Sequence, residues 1–165
     1  MFSLFQKKEK KEPAAVNELR AFVSGRVMPI TEVNDPVFAG KVLGDGLAIE
    51  PEDDTIYAPC DGVVSSVAAD TRHAVGLTLS NGAELLLHEG IDTVSMNGDG
   101  FTMFVKEGDV VRAGDKLLHF DPVKIAQAGC EKTCIMVLTN GDEFPQAVMY
   151  TGMQAQQGQS VILTF

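Results

Sequence analysis

Short apolar runs punctuated by turn residues constrain this chain more than any other feature. Ser24-Gly25, Asn34-Asp35-Pro36, Gly44-Asp45-Gly46, Asp61-Gly62, Asn81-Gly82, Gly108-Asp109 and Gly114-Asp115 break the sequence repeatedly, with β-branched residues between them. Turn signals roughly 8 to 12 residues apart leave no length for long helices and predict an all-β fold, an antiparallel sandwich or barrel. One or two very short helices are the exception. Asp35 followed by Pro36 has the form of a cap and first residue of a helical turn carrying Val37 and Phe38. Asp121 to Gly129 is the better candidate: Asp121 caps, Pro122 opens, Val123, Ile125 and Ala126 face inward and Gly129 terminates.

At 165 residues the chain suits a single domain, read here as residues 16–165 behind a flexible N-terminal tail of residues 1–15. That tail joins a small apolar cap (Met1, Phe2, Leu4, Phe5) to Lys7, Lys8, Lys10 and Lys11, a combination suited at most to weak contact with an anionic membrane. Its apolar residues precede its charges, the reverse of a secretory signal, and no apolar run reaches the roughly 18 residues of a membrane span. A cytoplasmic, free-standing protein is the expectation. The net charge of -10 argues against nucleic acid, which needs a clustered basic surface, and favours encounter with a basic protein partner. The odd count of cysteines, Cys60, Cys130 and Cys134, fits reduced and mostly buried thiols.

Two of the three histidines, His73 and His88, lie in strand-like runs on either side of Asn81-Gly82. If those two residues form a type I′ turn, Leu79 pairs with Glu84, Leu77 with Leu86, Val75 with His88 and His73 with Gly90. Alternation then puts His73, Val75, Leu77, Leu86 and His88 on one face, with the histidines as diagonal neighbours. Two imidazoles on an apolar face suit a metal half-site, a proton-transfer pair, a nucleophile beside a helper, or plain structure. Geometry alone leaves these open.

The segment LLLHEGIDTVSMNGDGF, holding His88, Gly90 to Val94 and Gly98 to Phe101, resembles the phosphorylation site of the glucose-type enzyme IIA components of the bacterial phosphoenolpyruvate-dependent sugar phosphotransferase system. DPVFAGKVLGDGLAI, YAPCDGVVSSV, TRHAVGL and VKEGDVVRAGDKLLHFD resemble the same family in the same order. The resemblance implies a sandwich of the duplicated hybrid motif type. It also implies that His88 accepts a phosphoryl group from the histidine-containing phosphocarrier protein and passes it to a cysteine of a IIB domain of a sugar permease. By the same likeness His73 stabilises the phosphoryl group, Thr71 orients His73, and Asp35, Phe38, Val75, Leu86 and Asp92 belong to the partner-binding surface. No cofactor is required, although His73 and His88 could hold zinc if a partner supplied a further ligand.

One residue departs from the pattern. The position after the phosphohistidine is usually apolar or aromatic in the family, and here it is Glu89, which alternation points away from His88. Three alternatives stand beside the phosphocarrier: a IIA-like regulator switched by His88 phosphorylation toward other target proteins, a zinc-dependent hydrolase reading His88 to Asp92 as H-x-x-x-D, and a biotinyl- or lipoyl-type carrier. The hydrolase lacks an H-x-H ligand pair, and the carrier lacks a lysine at a hairpin tip.

Overall fold

In a computed structural model, which describes residues 16–165, the chain folds into three antiparallel sheets with two short α-helices. The expected tail, residues 1–15, lies outside the described residues. In chain order the first elements are β1 (Glu18–Arg20), β2 (Gly25–Pro29), α1 (Pro36–Ala39), β3 (Asp45–Pro51), β4 (Thr55–Tyr57), β5 (Gly62–Val67), β6 (Ala74–Thr78) and β7 (Glu84–Ile91). There follow β8 (Phe101–Met103), β9 (Val110–Val111), β10 (Lys116–Phe120), α2 (Pro122–Gln127), β11 (Glu131–Leu138), β12 (Val148–Met149), β13 (Gln154–Ala155) and β14 (Val161–Thr164). The all-β expectation holds.

The largest sheet has eight strands in the order β13-β2-β3-β11-β7-β6-β5-β9. Smaller sheets, β1-β14-β12 and β4-β10-β8, complete the sandwich. Strand β11 lies between β3 and β7 and reads Cys134-Ile-Met-Val-Leu138, every residue buried, because both of its faces are covered. Its even positions, Cys134, Met136 and Leu138, enter the main core; Ile135 and Val137 join a smaller cluster with Met28, Ile30, Val33, Phe38 and Ile91 on the opposite face. Strand β7 shows the same division: Leu85, Leu87 and Glu89 are buried, whereas Glu84, Leu86 and His88 are only half-buried.

Both helices begin as read from sequence. Asp35 and Asp121 are N-caps whose carboxylates accept backbone N–H groups of the first turn, each followed by Pro at N1. The inward set of α2 is smaller than expected: Ile125 is buried, but Val123 and Ala126 are exposed. Ile125 alone among the residues of α2 packs into the core.

Candidate functional site

β6 and β7 are joined by a three-residue loop, Ser80 to Gly82, rather than by the two-residue turn read from the sequence. Leu79 N–H donates to Ala83 O at 2.9 Å, and Gly82 N–H donates to Leu79 O at 3.0 Å. A type I′ turn needs positive φ at both central residues, and of Asn81 and Gly82 only Gly82 has it, at 85°. Asn81 instead uses its side chain, Oδ1 accepting from Ala83 N–H at 3.0 Å. The extra loop residue slips the register by one, pairing Leu77 with Leu85, Val75 with Leu87 and Ala74 with His88.

A one-residue slip exchanges the two faces of a strand. Val75 therefore points into the main core, fully buried beside Leu87, and does not belong to the surface around His88. Leu86 stays on the His88 face and packs on the smaller cluster with Phe38. His73 precedes β6 by one residue and follows Arg72, whose φ of 55° turns the backbone. Freed from strand alternation, its ring meets that of His88 edge-on, with centroids 4.7 Å apart and planes at 90°. The two histidines come together as expected, by a different backbone route.

Neighbouring side chains fix both rings. Thr71 Oγ1 lies 2.8 Å from His73 Nδ1, so Nε2 is the nitrogen His73 has free for other work. Phe38, delivered by α1, stands 4.8 Å from the His88 ring at 60°. Asp35 Oδ1 accepts from Val37 N–H at 2.8 Å, which anchors that helix. Within His88, Nδ1 is enclosed with no hydrogen-bond partner among the described residues, leaving Nε2 as the accessible nitrogen of this half-buried side chain. Asp92 is exposed just after β7, in a left-handed conformation at φ 62°.

Burial sets the charge of the pair. Loss of hydration pushes the His88 pKa down to about 4 and His73 adds to this, while the Gly90 backbone and Asp35 pull the other way. His73 is also lowered, by burial. Near neutral pH both rings are uncharged, so His88 Nε2 carries a lone pair, and a ring held this way is a nucleophile. Among the described residues no three His, Cys, Asp or Glu side chains group to hold a metal ion. His73 and His88 stop at two, short of the three protein ligands of a catalytic zinc.

Sequence reading missed one feature of the site, the Gly90 backbone that favours the charged His88 ring, where Gly90 adopts a φ of 82°.

Comparison with known proteins covers most of the chain. Residues 17–144 match the family model described as phosphoenolpyruvate-dependent sugar phosphotransferase system, EIIA 1. The chain is 36% identical over 163 residues to a PTS system glucose-specific EIIA component of Oceanobacillus iheyensis, covering 99% of this chain and 98% of that protein. It is also 49% identical over 127 residues, 77% of its length, to a raffinose carrier protein of Pediococcus pentosaceus, of which it spans 20%. A PTS system glucose-specific EIICBA component of Streptococcus pneumoniae is 45% identical over 125 residues, 76% of this chain, which spans 17% of that protein. Among solved structures, glucose permease IIA from Mycoplasma capricolum superposes with a TM-score of 0.78 at 35% identity, covering 88% of this chain and 93% of the other.

Proposed function

Because the chain belongs to the EIIA 1 family of the phosphoenolpyruvate-dependent sugar phosphotransferase system, we propose that His88 is the residue on which it carries the phosphoryl group. The chain is a phosphotransferase component of sugar uptake, and relatives in which the domain is fused into an EIICBA protein point to a IIB domain as partner. The histidine-containing phosphocarrier protein is the proposed donor. The observation that carries the assignment is a His88 ring with Nδ1 enclosed and His73 edge-on at 4.7 Å, and burial of that ring favours its neutral form.

Phosphoryl transfer depends on positioning and charge stabilisation more than on covalent machinery. His88 Nε2 attacks phosphorus, the N–P bond to the donor breaks, and its electron pair stays on the donor's ring nitrogen. The His88 Nδ1 proton stays on the ring, and the Gly90 backbone favours the positive charge that the ring acquires. In the tautomer where Nδ1 of His73 accepts from Thr71 across their 2.8 Å contact, Nε2–H of His73 is the donor left for the phosphoryl oxygens. A IIB cysteine thiolate then attacks phosphorus, and His88 departs as neutral imidazole. Phe38 and Leu86 exclude water from the labile N–P bond, while Asp35 and Asp92 receive a cationic side chain of the partner. Such a cycle belongs in the cytoplasm, and no helix among the described residues is long and apolar enough to cross a membrane.

The test is incubation with labelled phosphoenolpyruvate, enzyme I and the phosphocarrier. Acid-labile, base-stable label is expected on the wild-type chain and none on His88→Ala. Label persisting on that variant overturns the assignment.

A further inference from the structure

Strand β7 loses its regular sheet support one residue after His88. On one side β6 ends at Ala74, which stands opposite His88. On the other side β11 bulges: Cys134 pairs with Glu89 and Glu131 with Ile91, so Lys132 and Thr133 together oppose the single Gly90. Gly90 then departs from extended geometry at φ 82°, and Asp92 follows at φ 62°.

Other contacts hold the chain where the ladders fail. Glu89 N–H donates to the His73 carbonyl at 2.7 Å, and the fully buried Glu89 side chain accepts from Cys134 Sγ at 2.8 Å through Oε2. The Glu89 carbonyl, which begins the peptide to Gly90, accepts from the Thr93 hydroxyl at 2.5 Å. Thr93 opens the 3-10 turn Thr93–Met96 and is completely buried. Its methyl group backs Gly90 so closely that a Cβ built there would collide with Thr93 Cγ2, and that Cβ would also lie 2.8 Å from Glu131 O. The stretch from His88 to Gly90 is thus fixed to His73 through one backbone group of Glu89 and to Thr93 through the other.

We propose that Thr93 is a positioning residue for phosphoryl transfer: its buried hydroxyl, closing on the Glu89 carbonyl, holds the backbone between His88 and Gly90 and thereby the His88 ring against His73. This inference rests on the assignment of His88 as phosphoryl acceptor. Thr93 acts through the backbone and not on the reacting atoms. A buried carbonyl that loses its donor turns toward another one, and here neither a β6 ladder nor a regular β11 ladder resists the turn. Such a rotation moves the His88 Cα, and with it a ring that must meet phosphorus in line while staying edge-on to His73. A misplacement of about 1 Å costs roughly 100-fold in rate.

The test separates the two branches of the side chain. Thr93→Val keeps the branched shape and removes the donor, whereas Thr93→Ser keeps the donor and removes the methyl group. Single-turnover phosphoryl uptake is followed at neutral pH over rising concentrations of the phosphorylated carrier protein. The His88 ring-proton resonances, which sense the edge-on His73 ring, are recorded on the unphosphorylated proteins. Thr93→Val is expected to lower the maximal rate about 10- to 100-fold at an unchanged half-saturating carrier concentration, and to shift the His88 resonances. Thr93→Ser is expected to recover most of that rate and to keep the wild-type resonances, even where its melting temperature falls as far as that of the valine variant. Thr93→Ala, which also lacks the donor, carries the same expectation as Thr93→Val should the latter not fold. A donor-free variant with the wild-type maximal rate, or a serine variant as slow as the donor-free one, overturns the inference, because a residue that only packs would make rate follow stability. Absence of label on wild type would instead remove the His88 assignment, and the ring-proton shifts would still decide whether Thr93 sets the histidine pair.

Discussion

The two faces of β7 treat adjacent titratable residues in opposite ways. His88 faces the small cluster under Phe38 and keeps one ring nitrogen accessible, while Glu89 faces the main core and is sealed. Burial drives both toward the uncharged form, lowering the histidine and raising the glutamate. For the histidine this creates a lone pair that a partner can use. For the glutamate it creates a proton that only a structural fluctuation can release. Desolvation alone does not make a reactive group; it does so where one atom of the group still meets the outside.

The largest effect separating the faces is expected from His88→Ala, which should lose all acid-labile label while its melting temperature stays near wild type. Unfolding of that variant would mean that the His88 face carries stability as well as chemistry. His73→Ala should still accept phosphoryl but pass it to the IIB cysteine about 100-fold more slowly, the usual loss when one donor to a developing charge is removed. Normal onward transfer, measured by single-turnover quench, would take His73 out of the mechanism. On the core face Val75→Ala should cost about 2 kcal/mol in denaturant unfolding and leave transfer unchanged. A transfer defect there would argue against the observed register.

A pH series of thermal melts should resolve the two faces more finely. The unfolded chain takes up a proton on His88 near the ordinary pKa of 6.5, whereas the folded chain refuses it down to about 4. Stability is therefore lost as pH falls through that window. Glu89 acts in reverse: its folded pKa lies above 4.5, so stability declines as pH rises above that value. His88→Gln should soften the acid limb, with His73 retaining part of it, and Glu89→Gln should soften the alkaline one. Unchanged limbs would mean that neither side chain is as dry as the structure has it. The smallest effect, a several-fold slowing of onward transfer, is expected for Thr71→Val, which removes the 2.8 Å contact to His73.

Much of this was legible in the sequence because it is local. Turn residues at short spacing announced the strands, and Asp-Pro pairs announced both helix starts. The histidine pair was legible through motif and hairpin together. Register was not, since a type I′ turn and a three-residue loop ending in Gly82 share the letters Asn-Gly and differ by one residue in what they place opposite. That single step moved Val75 from the site into the core. Glu89 was read as facing away from His88, but its partner Cys134 lies 45 positions along the chain, a separation that no local pattern encodes.

The small cluster beneath Phe38 has a consequence of another kind. It shares β3, β7 and β11 with the main core, but its outer members, Ile30, Val33 and Phe38, belong to a short connection and a four-residue helix. Such a unit can open by itself at a fraction of the free energy of global unfolding. A surface that serves a donor and an acceptor in turn gains from this independence. It can reshape its apolar rim for each visitor while the strands that hold the histidines stay closed.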